Sequence, residues 1–231
     1  MVFTPDLTTL LPPQRKLWPE LTATPAAFTL YGGTALALRL GHRASVDFDF
    51  FSNATFDPDQ LANRLLYLKD AERVQVAPNT LTCRVQRDGP VLVSFFGRLG
   101  LGQVAPHDEV QGMGLRVASL LDIAGTKAAV VQRRAEVKDY LDLDALLRHG
   151  IDLPMVLAAG MVVYGRRFNP LITLKPGRVR IAYLFRALPY AANDGTRCVP
   201  YWNYWNFTVV TERRAAILGN DLARDRVRAH L

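Results

Sequence analysis

The sequence predicts an α/β (α+β) fold: a mixed sheet followed by a mainly helical C-terminal region. Three observations carry that expectation. Residues 28–69 alternate strand, helix, strand, helix. Residues 73–96 hold three short β-like runs separated by the turn residues Asn79-Thr80 and Asp88-Gly89, a meander that makes the sheet at least partly antiparallel. From 119 onward, apolar residues recur at helical spacing. A Rossmann domain is excluded, because no G-x-G-x-x-G follows the first strand.

The elements follow in order. Residues 1–27 contain five prolines and read as an irregular N-terminal arm with a short helix near 17–21. A strand at 28–31 runs into the pair Gly32-Gly33, and a helix at 34–40 follows. A polar hinge, Gly41-His42-Arg43, leads to a strand at 46–51. Asp57-Pro58 is an N-cap followed by a first-turn proline, opening a helix to about 69. β-runs at 73–77, 81–86 and 91–96 complete the core of the sheet. Residues 97–114 read as a glycine-rich loop. Ser119 begins SLLD, a capping-box-like start with Asp in place of Glu, for a helix to about 133. A second helix spans about 137–148 with Gly150 as its stop, and Asp152 and Pro154 open a third toward 164. A polar terminal helix is expected at 211–230. The expected organisation is an arm at 1–27, a sheet domain at 28–118 and a mainly helical region at 119–231.

With 231 residues, 49% of them hydrophobic, the chain can bury one large core. The net charge of +7 is either a solvated basic surface or a match for a polyanion. Cys83 and Cys198 show no metal spacing and fit free thiols in a reducing cytosol. The opening residues lack a signal-peptide pattern, and the apolar run at 155–163 falls well short of the roughly 20 residues that span a bilayer. A cytoplasmic protein without a membrane segment is expected.

The stretch TLYGGTALALRLGHRASVDFDFFS, residues 29–52, carries the chemistry. Strand side chains alternate, so Asp47 and Asp49 share one face while Val46, Phe48 and Phe50 share the other. Two like charges side by side repel, and they persist most easily around a cation. Gly32 and Gly33 let the backbone approach a ligand closely, and the helix that follows offers N–H groups to an anion. Two carboxylates next to such a turn can hold Mg²⁺ against the phosphates seated on it. Taken alone, the glycine pair is equally a tight turn. Arg43 and Arg39 either neutralise phosphate or are ordinary surface charges, Arg43 in its loop and Arg39 on its helix.

On these residues the chain resembles the polymerase-β-like nucleotidyltransferase superfamily, whose signature is GG, a spacer and D-x-D. The wider stretch YGGTALALRLGHRASVDFDFFS resembles the AbiEii/AbiGii toxin family of that superfamily. ASLLDIAGTKAAVVQRR and VKDYLDLDALL are similar to two further family segments, so the resemblance covers about residues 28–148. It implies a polymerase-β-like palm and a Mg²⁺-dependent transfer of a nucleotide from an NTP to a hydroxyl acceptor, most plausibly on tRNA. It also implies a toxin of a type IV toxin–antitoxin or abortive-infection system, with a winged-helix antitoxin as a possible partner. Carried over by position, Gly32, Gly33, Thr34 and Arg43 would hold the triphosphate. Asp47 and Asp49 would hold metal, Lys127 would contact phosphate, and Asp139 would be a base or structural acid near the acceptor. Lys138 and Asp142 would be accessory.

The later residues have readings of their own. Lys127 lies among Ala124, Ala128 and Ala129, where a lysine either reaches into a site or snorkels to solvent. Asp139 and Asp142 share a helix face at i, i+3, the pattern of a site or of a surface network. The superfamily's third carboxylate falls at Ser94, on the strand at 91–96. That leaves three alternatives: one metal in place of two, an acid such as Asp139 or Asp142 completing the site, or a domain that binds nucleotide or RNA without turnover. Transfer to a protein hydroxyl is a further alternative. The aromatic cluster at 201–207 reads as core packing ahead of base stacking.

Overall fold

The computed structural model describes residues 1–134 and 136–174, and these form two compact units. The first comprises Met1–Leu101 and Ala105–Ile123. The second comprises Gly102–Val104 and the described residues from Ala124 on. The aromatic cluster at 201–207, Cys198 and the terminal helix expected at 211–230 lie outside the described residues.

The first unit is built on an eight-stranded mixed sheet. Its strands are β1 (Val2–Phe3), β2 (Thr29–Tyr31), β3 (Asp47–Phe51), β4 (Glu72–Ala77), β5 (Thr80–Gln86), β6 (Pro90–Phe96), β7 (Asp108–Val110) and β8 (Arg116–Val117). They lie side by side in the order β1-β7-β8-β2-β3-β6-β5-β4. The expected meander is β4–β5–β6, antiparallel throughout. β3 joins it in parallel through β6 and runs antiparallel to β2. Asn79 and Asp88 adopt positive φ in the two hairpin turns, the conformation these residue types tolerate best.

The two faces of this sheet differ sharply. Phe48 and Phe50 point into one of them beside Val93 and Phe95, all with 0% exposure. The Phe50 and Phe95 rings stack with centroids 5.1 Å apart. Each such side chain contributes about 1.5–3 kcal/mol by leaving water. Asp47, Asp49 and Phe51 alternate with them and are only half-buried. The period-2 reading of DFDFF therefore holds, except that Val46 lies outside β3 and is exposed.

Helix α1 (Pro12–Leu17) and a 3-10 turn at Trp18–Ala23 replace the single short helix expected in the arm. Helix α2 (Gly32–Leu40) starts at the glycine pair itself rather than after it. Helix α3 (Pro58–Arg64) opens as expected, with Asp57 accepting a bond from the Gln60 N–H, but a 3-10 turn at Leu66–Leu68 takes over from it. Three strands were not anticipated: β1, β7 and β8. Each is two or three residues long, too short to display alternation, and they form because the backbone of the supposed loop finds partners in β1 and β2.

Arg39 shows what holds this edge. Its guanidinium pairs with Asp108 at 2.8 Å, donates to the Ala118 carbonyl at 2.6 Å and lies 4.4 Å over the Phe3 ring. Its role is to tie α2 to β1, β7 and β8, which corrects the phosphate reading. Burial pulls its pKa below the ordinary arginine value, and the bonds to Asp108 oppose that pull. Burial likewise pushes the Cys83 thiol above its usual value, so it sits as an inert core residue.

Helix α4 (Leu120–Arg133) begins with the expected cap. Ser119 Oγ accepts from the Asp122 N–H at 3.1 Å and donates to Asp122 Oδ2 at 2.5 Å. In the second unit α4 continues beside α5 (Val137–Arg148), α6 (Leu153–Tyr164) and α7 (Pro170–Leu174). Asp152 caps α6 through the Met155 N–H, and Gly150 takes the positive φ that ends the preceding helix. Gly125 of α4 packs against α6 so closely that a Cβ there would stand 2.8 Å from the Ala159 carbonyl. The run at 155–163 is core: Val156, Leu157, Ala158 and Ala159 show no exposure. Among the described residues no single helix is long and apolar enough to cross a membrane.

Candidate functional site

The site is assembled where β2 ends, α2 begins and β3 runs alongside. Gly32 has φ +76, a conformation that costs an L-residue roughly 1–2 kcal/mol. It also has no room for a side chain, since a Cβ there would stand 2.8 Å from Asp49 Oδ2. At Gly33 the same position is filled by the Arg43 guanidinium, with Ser45 Oγ 3.1 Å away. The Asp49 carboxylate thus lies over Gly32, and the Arg43 guanidinium over Gly33. Both glycines are required by side chains arriving from elsewhere in the chain.

Thr34 is fully buried, and its hydroxyl donates to the backbone carbonyl of Asp47. That bond joins the first turn of α2 to the start of β3 and sets where Asp47 and Asp49 stand relative to the glycines. Arg43 is steadied by a bond from Nη1 to the Ala44 carbonyl at 2.9 Å. Tyr31, in register with Asp49 on the neighbouring strand, stacks on Phe51 with ring centroids 4.9 Å apart.

The sheet register places Ser94 directly beside Asp49, and Thr82 directly beside Ser94. Ser94 therefore occupies the row position read from the sequence. Thr82 adds what the sequence reading missed: its Oγ1 donates to Ser94 Oγ at 3.2 Å, and both residues are buried. Its only sequence signal is a hydroxyl in the polar half of an alternating strand, opposite Leu81, Cys83 and Val85.

Lys127, Asp139 and Asp142 come together in the second unit, on α4 and α5. The Lys127 Nζ lies 3.1 Å from Asp139 Oδ1 and 2.5 Å from Asp142 Oδ2, and both aspartates have no exposure. The other Asp139 oxygen accepts from Arg134 Nε at 3.1 Å. Lys138 is half-exposed and pairs with Glu136 at 2.9 Å. The surface-network reading of Asp139 and Asp142 is thereby corrected: apolar neighbours such as Leu143 and Leu146 turn that face inward. Asp139, expected as a base near the acceptor, has both oxygens engaged by cations of its own unit.

Asp47 and Asp49 form a donor set suited to Mg²⁺, which takes one or two carboxylates and completes its shell with substrate phosphates and water. Among the described residues no group of three His, Cys, Asp or Glu side chains forms a metal cage. The fit is to a cation that arrives with phosphate.

Comparison with known proteins agrees with this arrangement. Residues 21–191 match the family described as nucleotidyl transferase AbiEii toxin, type IV TA system. The chain is 35% identical over 129 residues to "Uncharacterized protein aq_aa25" of Aquifex aeolicus (strain VF5), a match covering 54% of this chain and 61% of that protein. The chain thus spans less than two thirds of that relative's length. Among solved structures it overlaps MenT4, a nucleotidyltransferase toxin from Mycobacterium tuberculosis H37Rv, at TM-score 0.52 and 20% identity, covering 93% of this chain and 84% of that one. At that identity the likeness is one of fold. The match over most of its length and the glycine turn facing the D-x-D strand lead to one conclusion: the chain belongs to the AbiEii nucleotidyl transferase toxin family of type IV toxin–antitoxin systems.

Proposed function

We propose that this chain transfers a nucleotide from a Mg²⁺-bound NTP to a hydroxyl acceptor on tRNA, as the toxin of a cytoplasmic toxin–antitoxin pair. The observation that carries the reading is the placement of Asp49 over Gly32 and Arg43 over Gly33. A carboxylate for the cation and a guanidinium for the phosphate meet at one helix start, whose dipole also favours an anion. Gly32, Gly33 and Arg43 hold the triphosphate, and Thr34 keeps β3 in register with them. Asp47 and Asp49 hold Mg²⁺, which when bound neutralises phosphate charge. The acceptor oxygen bonds to the α-phosphorus, the bond from the α-phosphorus to the α,β-bridging oxygen breaks, pyrophosphate leaves, and the proton of the acceptor hydroxyl passes to solvent water. Lys127, Asp139 and Asp142 hold the helical unit together. The net charge of +7 favours a polyanionic acceptor, and family membership favours an antitoxin partner, with a winged-helix protein as the candidate.

The test is incubation of the purified chain with each labelled NTP, Mg²⁺ and total tRNA. Label is expected on RNA with wild type and not with Asp49→Ala. No transfer with any of the four NTPs, or equal transfer by the variant, overturns the reading. A second reading, nucleotide binding without turnover, is favoured by Ser94 standing where a third acid would strengthen the site. Calorimetry showing NTP binding in the absence of transfer would select it, and label on protein would point to a protein hydroxyl as acceptor.

A further inference from the structure

We propose that Arg133, Arg166 and Arg167, gathered around Tyr164 at one end of the helical unit, form a docking surface for the phosphate backbone of the acceptor RNA. The inference rests on the RNA-acceptor part of the function proposed above.

The surface is made by two segments of the second unit. Helix α4 ends at Arg133, and α6 ends at Tyr164 and runs into a 3-10 turn at Gly165–Arg167. Gln132 joins the two: its Nε2 donates to the Asn169 carbonyl at 2.9 Å and to Thr173 Oγ1 at 2.7 Å. Arg133, the next residue along α4, is thereby brought to the segment that carries Arg166 and Arg167. All three arginines are exposed, as are Gly165 and Asn169, while Tyr164 is half-buried among them. The Arg167 guanidinium lies 5.8 Å from the Tyr164 ring centroid, inside the roughly 6 Å over which an aromatic ring attracts a cation. Burial pushes the Tyr164 hydroxyl above its usual value, and Arg133 and Arg167 both oppose that push, as cations close to the ring do.

Gathered like charges repel, and acids of the unit do not offset these. Among the described residues Arg133 and Arg166 form no ion pair, whereas Arg134 beside them is engaged by Glu136 and Asp139. Phosphate is the matching anion, because a guanidinium offers two N–H groups in the geometry that two phosphate oxygens accept. RNA fits better than an acidic protein. A protein interface closes over an apolar centre, and this surface exposes cations, an amide and a glycine. Arginines in a last helical turn also offset the helix dipole, a role that would bear on stability alone.

The probe is labelled total tRNA, titrated with the purified full chain in the absence of NTP across a salt series and read by fluorescence anisotropy, with thermal unfolding measured in parallel. Arg133→Gln, Arg166→Gln and Arg167→Gln combined should lower the slope of log affinity against log salt by about 2, at roughly 0.7 per phosphate, and weaken binding about a hundredfold at about 0.1 M salt. Arg166→Gln alone, on the exposed turn, should lower the slope by about 0.7 and serves if the triple variant does not fold. Arg133→Lys, Arg166→Lys and Arg167→Lys combined should keep the wild-type slope, because the charge stays. Arg15→Gln, Arg64→Gln and Lys69→Gln combined remove the same charge from exposed positions of the first unit. They should weaken binding less than about threefold, since charges away from the contact are screened. An unchanged slope in the glutamine variants, or an equal loss from the first-unit set, overturns the inference while leaving nucleotide transfer standing. Wild type that binds no tRNA overturns the RNA acceptor and the inference with it.

Discussion

Two pairs of aspartates in this chain have opposite fates. Asp47 and Asp49 lie on a strand, half-buried, facing a glycine turn. Asp139 and Asp142 lie on a helix without exposure, closed around the Lys127 ammonium. Both are short acidic motifs next to a basic residue, and composition does not tell them apart. Burial does. A sealed acid pair must have its cation supplied by the protein, because an unpaired charge inside costs several kcal/mol. An acid pair at a half-open face can take its cation from solution and exchange it with a substrate. One pair is thereby suited to stability and the other to binding.

The comparison breaks most clearly under substitution. Asp49→Ala is expected to lower nucleotide transfer roughly a thousandfold, since the stabilisation a metal supplies amounts to several kcal/mol at 1.36 kcal/mol per tenfold. Its unfolding free energy in urea should fall by only about 1 kcal/mol, the ordinary cost of a point substitution. Lys127→Met should do the reverse, lowering unfolding free energy by about 3–5 kcal/mol because two buried carboxylates lose their shared partner. Changing Lys127, Asp139 and Asp142 together to Met, Asn and Asn should recover most of that loss. If Lys127→Met abolished transfer with unchanged stability, the division of labour between the two pairs would be wrong.

Gly32→Ala tests the join between backbone and carboxylate. The positive φ and the contact with Asp49 Oδ2 together should cost about 1–2 kcal/mol in stability. Metal affinity should fall as well, measurable by Mn²⁺ titration, because the new methyl group displaces the ligand.

The smallest effect belongs to an exposed pair. Glu20 accepts two bonds from Arg87, at 2.6 and 2.8 Å. The hydrogen bond from Arg87 holds its carboxyl below the ordinary 4.5. A depressed folded-state value means the stabilisation is fully present above pH 4.5 and is lost as pH falls through the folded pKa. Because both side chains are about one-third exposed, Glu20→Gln should cost only about 0.5 kcal/mol at pH 7 in low salt and nothing measurable at pH 3 or in high salt. Urea unfolding at the two pH values checks this.

Much of the architecture was legible because it depends on local chemistry. Asp57, Ser119 and Asp152 cap helices through bonds that span three residues. Asp88-Gly89 turns a hairpin, and DFDFF alternates because a strand does. Arg39 and Lys127 were not legible in the same way. Each is a basic residue on a helix, and its partners lie 69 residues away in one case (Asp108) and 12 and 15 in the other (Asp139, Asp142). Thr34 was expected to hold the triphosphate, whereas its buried hydroxyl bonds to the Asp47 carbonyl, a contact that depends on how α2 docks on β3. The strands β1, β7 and β8 stayed hidden because a two- or three-residue strand owes its existence to its partner.

By itself, the sequence determined the order of elements from β2 to β6 and from α4 to α6, the helix caps, the inward and outward faces of β3, and the pairing of a glycine turn with two carboxylates. Each of these is a short-range property, set by side-chain period or by a bond within one turn. Only the tertiary structure decided which acids are sealed and which stay open, that Ser94 and Thr82 share a row with Asp49, and that Arg43 rather than Arg39 reaches the glycines. Those outcomes depend on strand register and on what covers a side chain, and both are set by contacts between segments distant along the chain.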